Sequence, residues 1–446
     1  MPLRAIDENR SLWAETAAPR DPCAALSGDR TADIVIIGGG FTGMSTAYHM
    51  ATRFPDRKII LLEARKIGNG GSGRNGGLML NWVNGVEPGD PLRAKAIYDA
   101  TREGIDGIAQ IIDTHKLDVR WRRTGSMNVH TRARGAEEAA AEVEALNAVG
   151  VPLQFLDGKA LSAQLQLQGA VGAVLDPTAG HLDGISFLNA LLPVVLGLGV
   201  TVHENSLVVA IEEGARCVVR TAAGSVTAAT LVLATNAYTP ALGYFRDRIM
   251  PLHAHVVATA PLARTEWAAH GWGPAVSGFD DDLDRVSYGC MSTDGQLVFG
   301  GGVNGAYGYH FGGSPAFTGT ADFESVERRL HAYLPEAAKT PITHRWTGPV
   351  ALTWNRICAM GVRGAHRNVY YALGYAGHGV TLANLAGRVL TDAYSDADER
   401  WRGLPFYDGH EPTRMAWIPP EPLRWVGYHV MTRLTGKSPR KRGVRT

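Results

Sequence analysis

The sequence predicts a mixed α/β (α+β overall) fold that combines a discontinuous parallel α/β domain with an antiparallel-sheet domain. A pattern of buried strand, glycine turn and helix occurs near the start of the chain and again near its end. Between the two patterns lie segments whose apolar residues alternate as they do in antiparallel strands. The chain of 446 residues is long enough to form two domains.

Composition and charge exclude several functional classes. Lysine plus arginine is 44 and aspartate plus glutamate is 43, and the resulting net charge of +1 provides no basic field for nucleic acid. The four cysteines are far apart and form no CxxC pair, so we expect neither a disulfide framework nor a metal site. Met1–Arg10 lacks the apolar core of a secretory signal, and no apolar run reaches the roughly 20 residues of a bilayer helix. We therefore expect a cytoplasmic protein.

A complete βαβ unit is predicted near the start of the chain. Ala32–Ile37 is a continuous apolar run typical of a strand buried on both faces, and the glycine turn Gly38–Gly43 follows at once. Apolar residues at helical spacing come next in Met44–Ala51, and a second strand, Lys58–Leu62, ends in Glu63. This order is the Rossmann-like fingerprint of a dinucleotide site. The alternative is a tight turn that binds no ligand.

Each part of this unit has a chemical reason. Gly38 permits the tight turn, Gly40 lets the backbone approach a pyrophosphate, and Gly43 lets the helix pack closely on the strand. The helix N-terminus presents unpaired N–H groups to the phosphates. Glu63 can accept hydrogen bonds from both ribose hydroxyls. The sequence therefore predicts that the ligand is an adenine dinucleotide.

A second glycine-dense loop, Gly68–Gly77, follows the acidic residue. The loop is too rich in glycine for a helix or strand interior and too long for a simple turn. Ser72, Arg74 and Asn75 supply hydroxyl, guanidinium and amide groups among the glycines. We expect this loop to wrap the pyrophosphate and the edge of a bulky ring; the alternative is a flexible surface linker.

The strand–turn–helix pattern recurs near the end of the chain. Val369–Leu373 is predicted to be a strand, Gly374–Gly379 a turn and Val380–Leu390 a helix. The helix N-terminus directs its N–H groups toward whatever negative charge lies ahead. Three segments between the two patterns are predicted to be strands beside the nucleotide: Ser206–Ile211, Arg216–Arg220 and Thr230–Ala234.

The sequence resembles the D-amino-acid-oxidase-like (DAO) superfamily of FAD-dependent oxidoreductases, and within it the gamma-glutamylputrescine oxidase branch. That branch carries a GxSGRNGG-type loop after the ribose acid, which here is Gly70–Gly77. Four further segments match: Asp176–Pro177 with Gly180–Leu182, Val232–Tyr238, Leu297–Gly302, and Gly374–Val380. The resemblance implies FAD as the cofactor and oxidation of a carbon–nitrogen bond by hydride transfer to the flavin, usually with dioxygen as the final acceptor.

The motifs and the resemblance together predict the site residues. The predicted cofactor-binding residues are Gly38, Gly40, Phe41, Thr42, Gly43, Glu63, Ala64, Arg65, Gly71, Ser72, Gly73, Arg74, Asn75, Gly76, Gly77, Val208, Gly374, Tyr375, Gly377, His378, Gly379, Val380 and Thr381. Asn75, His378 and Trp346 are the catalytic candidates because they adjoin motifs expected at the flavin; for His378 the alternative is a structural helix cap. The candidate pocket residues, each with a core position as its alternative, are Trp121, His253, His255, Tyr288, Trp346 and Trp354.

Three departures from the sarcosine oxidase relatives refine the function that the resemblance implies. Val380-Thr381 stands where those relatives have a lysine for the substrate carboxylate, so an α-carboxylate substrate is disfavoured. Arg345–Val350 lacks their flavin-linking cysteine, which favours noncovalent FAD. Leu297–Phe299 lacks the lysine credited with dioxygen activation, which leaves the electron acceptor open.

The resulting hypothesis is an amine oxidase acting on a small primary or secondary amine, with dioxygen or an electron carrier as its partner and no nucleic-acid partner. The first alternative is an amine dehydrogenase passing electrons to a quinone or carrier at a membrane surface, and the second is a non-catalytic flavin-binding protein. Residues 424–446 contain seven Lys/Arg and no acidic residue after an apolar stretch. This basic C-terminal tail could contact a membrane or a subunit, or form a solvated tail on a docked helix.

The sequence also predicts how these parts divide the chain. Helices at about Leu92–His115 and Gly135–Val149, with strands at Gly125–His130, Pro251–Ala260 and Val286–Gly301, are expected in a substrate domain. The predicted division is an N-terminal arm (1–27), an FAD-binding domain (28–91, 150–243 and 343–400), a substrate domain (92–149 and 244–342) and a C-terminal extension (401–446).

Overall fold

A computed structural model describes residues 11–273, 276–283, 285–301, 307–313 and 322–435. Met1–Arg10, where the sequence argues against a secretory signal, lies outside the described residues. The strands are β1 (Arg30–Ile37), β2 (Ile59–Leu62), β3 (Leu78–Met79), β4 (Trp121–Arg122), β5 (Ser126–His130), β6 (Gln154–Asp157), β7 (Gly172–Asp176), β8 (Gly180–Leu182), β9 (Thr201–His203), β10 (Val208–Glu212), β11 (Cys217–Thr221), β12 (Gly224–Leu233), β13 (Met250–Thr259), β14 (Gly278–Asp281), β15 (Ser287–Met291), β16 (Leu297–Gly301), β17 (Tyr307–Gly308), β18 (Ile342–Leu352), β19 (Ala359–Arg363), β20 (Val369–Leu373) and β21 (Tyr407–Gly409).

The helices lie mainly between these strands. They are α1 (Leu12–Thr16), α2 (Phe41–Arg53), α3 (Pro91–His115), α4 (Ala133–Ala148), α5 (Gly158–Ser162), α6 (Gly184–Gly197), α7 (Arg264–Ala269), α8 (Phe323–Tyr333), α9 (Gly379–Tyr394) and α10 (Leu423–Thr435). None of them, within the residues described, has the length and hydropathy needed to cross a bilayer.

The first sheet positions the site. Its order is β21-β19-β20-β12-β1-β2-β9, and β10 and β11 extend from β12. The strands β20, β12, β1, β2 and β9 run parallel, with Ile37 paired to Leu233 on one side and to Leu62 on the other. This register brings the carboxyl ends of β1, β2 and β12 to one edge, which is where ligands bind in open parallel sheets.

Helices α2, α3, α6 and α9 cover one face of this sheet around a single apolar core. Helices α2 and α9 approach so closely that a Cβ on Gly387 would lie 2.4 Å from the backbone carbon of Ser45. The Ser45 hydroxyl donates to the carbonyl of Asn384 at 2.5 Å. The two helices that follow the two glycine turns therefore pack directly against each other.

The second sheet has the order β17-β13-β16-β15-β14-β5-β7-β6, with β18 paired to β13. The long antiparallel ladder between β13 and β18 runs from Met250–Leu352 to Thr259–Ile342. A small third sheet has the order β3-β8-β4. The mixed α/β class predicted from the sequence is confirmed.

Strand pairing differs in places from the predicted division of the chain, whose boundaries remain a prediction. Strands β6 and β7 lie in the range assigned to the FAD-binding domain but pair in the second sheet. Helix α3 lies in the range assigned to the substrate domain but shares its core with α9. Strand β21, assigned to the extension, pairs with β19 in the first sheet. Pairing depends on long-range burial, which local patterns do not encode.

Candidate functional site

A cleft of about 270 Å³ lies at the carboxyl edge of the first sheet. Its walls come from both glycine turns, the end of β2, the second glycine-dense loop, the segment entering β10, the chain after β12, and β18. The lining residues are Ile37–Thr42, Leu62–Ala64, Asn69–Ser72, Asn75, Ser206–Val209, Ala234–Tyr238, Ala241, Leu242, Pro349–Ala351, Tyr375–Gly377, Gly379, Val380 and Ala383.

The first glycine turn forms the floor of the cleft. Gly38 has φ +107°, in the left-handed region that favours glycine. A Cβ on Gly43 would lie 1.8 Å from the carbonyl oxygen of Gly38, so only glycine lets α2 pack so closely on the turn. Helix α2 begins at Phe41, whose N–H donates to the Ser72 hydroxyl at 2.9 Å. The N-terminus of α2 thus lies between the turn and the second glycine-dense loop.

Glu63 stands at the end of β2 and lines the same cleft. Its carboxylate accepts the Gly39 N–H at 2.7 Å and the Arg65 N–H at 2.9 Å. Burial raises the pKa of Glu63, and the two backbone donors act in the opposite direction. Each carboxylate oxygen retains lone pairs for further donors.

Side-chain hydrogen bonds fix the backbone of the second glycine-dense loop. The Asn75 amide donates to the Ser72 carbonyl at 2.7 Å, and its oxygen accepts the Gly77 N–H at 2.7 Å. The indole N–H of Trp13 donates to the Asn75 carbonyl at 2.8 Å, and that of Trp346 donates to the Arg74 carbonyl at 3.0 Å. Two buried tryptophans therefore fix the backbone of this loop.

The second glycine turn is joined to the first by a direct hydrogen bond. The hydroxyls of Tyr375 and Thr42, 333 positions apart in the chain, lie 2.7 Å from each other in a buried position. The Gly374 N–H donates to Asn236 Oδ1 at 2.9 Å, and the Asn84 amide donates to the Ala376 carbonyl at 2.7 Å. These bonds hold the turn before α9 against the floor of the cleft.

The structure brings most of the predicted cofactor residues together and leaves others outside the lining. Those that line the cleft are Gly38, Gly40, Phe41, Thr42, Glu63, Ala64, Gly71, Ser72, Asn75, Val208, Tyr375, Gly377, Gly379 and Val380. Those outside the lining are Gly43, Arg65, Gly73, Arg74, Gly76, Gly77, Gly374, His378 and Thr381. Several of the latter act through packing: Gly43 lies against Gly38, and the Thr381 carbonyl lies against Gly104 of α3.

The three catalytic candidates occupy different positions. Asn75 lines the cleft, but its amide bonds its own loop. Trp346 is fully buried with Leu12, Trp13 and Val298, so its indole lies behind the loop and away from the cleft. His378 is half-buried just before α9, where its side chain makes no capping hydrogen bond.

Among the other candidate pocket residues, Tyr288 stands nearest to the glycine-dense loop. A Cβ on Gly76 would lie 2.4 Å from the Tyr288 ring. A Cβ on Gly300, which is on strand β16, would lie 2.3 Å from the same ring. The ring is half-buried, and burial raises the pKa of the Tyr288 hydroxyl. The other candidates are a half-buried Trp121, the buried His253 and His255, and Trp354, which is mostly exposed.

Several residues that line the cleft were not among the predicted site residues. Gly39 and Asn69 lie in the two predicted glycine-rich segments, Thr235 and Tyr238 lie after β12, and Pro349–Ala351 form a wall that was missed altogether. Tyr238 lies within the matched segment Val232–Tyr238, which was the available signal. Pro349–Ala351 reach the cleft because β18 pairs with β13, a long-range pairing that no local pattern indicates.

The site offers neither a metal centre nor a thiol in the part of the chain that the structure describes. Within the described residues, no cluster of His, Cys, Asp and Glu is arranged to hold a metal ion. All four cysteines are free, and none of them lines the cleft.

A parallel sheet with two glycine turns, two helix N-termini and an acidic strand end at one edge defines a dinucleotide-binding protein. The family model of DAO-type FAD dependent oxidoreductases matches residues 33–393, and the chain belongs to this family. FAD is its cofactor, and the donors lining the cleft fit that molecule: an acid for a ribose and helix N-termini for a pyrophosphate.

Individual relatives agree with the family. The chain is 30% identical over 419 residues to gamma-glutamylputrescine oxidoreductase of Escherichia coli, covering 90% of this chain and 93% of the relative. It is 30% identical to the probable oxidoreductase OrdL of Haemophilus influenzae, with 85% of each chain covered. Glycine oxidase from Geobacillus kaustophilus has the same fold, with a TM-score of 0.69 at 17% identity over 87% of this chain and 97% of that chain. The protein is thus an FAD-dependent oxidoreductase of the kind that acts on amino compounds.

Proposed function

We propose that the protein oxidises a primary or secondary amine at its carbon–nitrogen bond, using noncovalent FAD. The observation that carries the proposal is the cleft joining both glycine turns, in a chain related over 90% of its length to gamma-glutamylputrescine oxidoreductase. Gamma-glutamylputrescine, from which that relative takes its name, ends in a primary amine.

The residues proposed to hold FAD divide by chemistry. Glu63 accepts from a ribose, and Val208 lies beside the adenine. The N-terminus of α2, reached through Gly40, Phe41 and Thr42, stabilises the pyrophosphate. The backbone from Gly377 to Val380, at the N-terminus of α9, faces the flavin ring, where the positive end of the helix dipole stabilises added negative charge.

The positions of the thiols support noncovalent attachment. A covalent link through cysteine needs a thiol in the cleft, and the cysteine nearest in sequence to the second glycine turn, Cys358, is buried behind Gly374. Burial raises the pKa of the Cys358 thiol, which makes it unreactive as well as inaccessible.

The chemistry proposed is hydride loss from the amine carbon. Bound FAD supplies the hydride acceptor, and the resulting imine is hydrolysed by water to an aldehyde. The chain orients the amine carbon and keeps water from it. The Tyr288 ring packs between Gly76 and Gly300, outside the residues that line the cleft, and its proposed role is to border the amine beside the second glycine-dense loop. Because a neutral amine can release hydride without a protein base, no further acid or base is assigned.

Dioxygen is the proposed electron acceptor, giving hydrogen peroxide. The second candidate is a dehydrogenase that passes electrons to a quinone or carrier. It is favoured by β16, whose Leu297–Phe299 are buried and apolar and offer no lysine for dioxygen activation. A flavin-binding protein without turnover is the remaining alternative.

One experiment separates these three functions. The purified holoenzyme is mixed anaerobically with a panel of amines, including polyamine derivatives and N-methyl amino acids, while the yellow flavin absorbance is followed. Bleaching that reverses in air with peroxide supports the oxidase. Bleaching without rapid reoxidation supports the dehydrogenase, and no bleaching by any amine contradicts the proposal. A Tyr288→Leu variant should bleach more slowly than the wild type, whereas a variant of the exposed Trp354, Trp354→Leu, should match it.

A further inference from the structure

Exposed apolar side chains are concentrated at the C-terminal end of the described chain. Twelve large apolar residues are substantially exposed among the described residues, and six of them lie between positions 417 and 431. These six are Trp417, Leu423, Trp425, Val426, Val430 and Met431. Phe311, which is 64% exposed, lies in a loop that joins the same region because the Gly312 N–H donates to Glu421 Oε1 at 3.2 Å. Clusters of this kind mark interaction surfaces, whereas single exposed apolar residues do not.

Helix α10 is held so that its apolar residues stay outward. Tyr428 packs its ring 5.5 Å from that of Tyr309, next to Val350 and Leu352 of β18. The Arg424 guanidinium donates to the Pro419 and Arg246 carbonyls at 2.9 and 2.6 Å. Positions 423, 426 and 430 follow helical spacing on the other side and are 63%, 47% and 50% exposed. We call these three residues the α10 apolar face; Trp425 and Met431 lie at its two flanks.

Positive charge follows this face in the sequence. Residues 424–446 contain seven Lys/Arg and no acidic residue, and the basic tail from 436 to 446 lies outside the described residues. Four further arginines, Arg246, Arg248, Arg363 and Arg367, line a separate cavity together with Asp247 and Glu411. This cavity borders the segment leading into α10, because Arg248 donates to the Met415 carbonyl at 3.0 Å and the Ile418 N–H donates to the Asp247 carbonyl at 2.7 Å.

An apolar helix face that is followed in the sequence by concentrated basic charge fits one kind of partner. Amphipathic helices of this composition lie in the interfacial layer of a membrane, where apolar residues enter the acyl boundary and basic residues meet anionic headgroups. Tryptophan is favoured at that depth. A second copy of the chain is a poorer partner, because it would bring two basic segments of like charge together.

We propose that the α10 apolar face docks this protein on the surface of an anionic lipid bilayer, and that the basic residues which follow it in the sequence, 436–446, attract the anionic headgroups. The docking is peripheral, with α10 lying along the interface. Tyr428 of α10 packs against the same apolar cluster as Val350, which also lines the cleft, so this cluster connects the docked surface with one wall of the cleft. This inference goes beyond the proposed amine oxidation and does not depend on it.

Flotation of the holoenzyme with lipid vesicles tests the proposal. Vesicles of phosphatidylcholine alone are compared with vesicles that also contain phosphatidylglycerol. We expect binding at least about tenfold stronger to the anionic vesicles, weakened by added salt. The double variant Val426→Asp/Val430→Asp should lose about tenfold of that binding. Leu196→Asp, a matched change at a 42% exposed residue of α6, should bind as the wild type does.

Two further measurements keep the test decisive. FAD content shows that each variant is folded, because α10 lies outside the residues that line the cleft. A variant with Lys437, Arg440, Lys441, Arg442 and Arg445 changed to serine should lose the preference for anionic vesicles while it keeps its FAD content. Equal binding to both vesicle types, or unchanged binding by the double variant, overturns the proposal. So does a dimer in sedimentation velocity that Val430→Asp abolishes while no vesicle binding is seen.

Discussion

The hydrogen bond between Tyr375 and Thr42 is the contact whose removal best tests how the cleft is built. It joins the two glycine turns at 2.7 Å in a buried position. Tyr375→Phe leaves the Thr42 hydroxyl without this partner, which costs about 1–3 kcal/mol. If this bond sets the spacing of the two turns that FAD requires, the bound cofactor must restore that spacing in the variant. About 1.4 kcal/mol of the loss then appears as roughly tenfold weaker FAD binding.

The assay is the release of FAD, measured by the rise in its fluorescence, together with thermal unfolding of the apoprotein. The double variant Tyr375→Phe/Thr42→Val should recover part of the loss, because neither hydroxyl is then left unpaired. Tyr371→Phe is the matched control. It removes the buried hydrogen bond of 2.9 Å that Tyr371 on β20 donates to Asp408 on β21, away from the cleft, and should lower stability without changing FAD affinity.

One result refutes this reasoning. If Tyr375→Phe lowers the melting temperature as Tyr371→Phe does and leaves FAD affinity unchanged, the bond stabilises the fold and has no part in spacing the turns.

Three further predictions concern other contacts. Gly43→Ala places a Cβ 1.8 Å from the Gly38 carbonyl oxygen and should cost at least about tenfold in FAD content on purification, measured by absorbance. Burial lowers the pKa of His181 from 6.5 to about 4. Between these two pH values the folded protein binds fewer protons than the unfolded chain, so the free energy of unfolding falls as the pH drops below 6.5. Between about pH 7.5 and pH 5, the free energy of unfolding of His181→Gln, measured by denaturant, should therefore fall by roughly 2 kcal/mol less than that of the wild type. Trp346→Phe should cost about 1 kcal/mol of stability and leave the rate constant of flavin reduction nearly unchanged, because its indole supports the Arg74 carbonyl from behind.

Each of these three predictions has a control variant or a result that would contradict it. Gly197→Ala, where an added Cβ meets nothing within 4 Å, should retain full FAD content, and equal loss in both glycine variants would contradict the packing argument. Parallel pH profiles for wild type and His181→Gln would show that the imidazole does not titrate on unfolding. A large fall in the flavin reduction rate of a stable Trp346→Phe protein would restore Trp346 as a catalytic candidate.

Much of the fold and part of the site could be predicted because they depend on local chemistry. The strand, glycine turn and helix from Arg30 to Arg53 follow from an apolar run, from glycines and from helical spacing. The segment from Val369 to Tyr394 repeats that pattern, and the structure confirms both. Glu63 could be predicted because its distance from the glycine turn is fixed by one βαβ unit.

The sequence alone therefore determined the class of fold, the cofactor and the backbone turns that line the cleft. Only the tertiary structure decided which side chains meet there: Tyr375 with Thr42, Trp346 behind the loop, and Pro349–Ala351 as a wall. Periodicity specifies which face of an element is buried, but it does not specify the distant partner that buries it. These contacts join segments hundreds of residues apart, and their geometry is set by the packing of the whole chain.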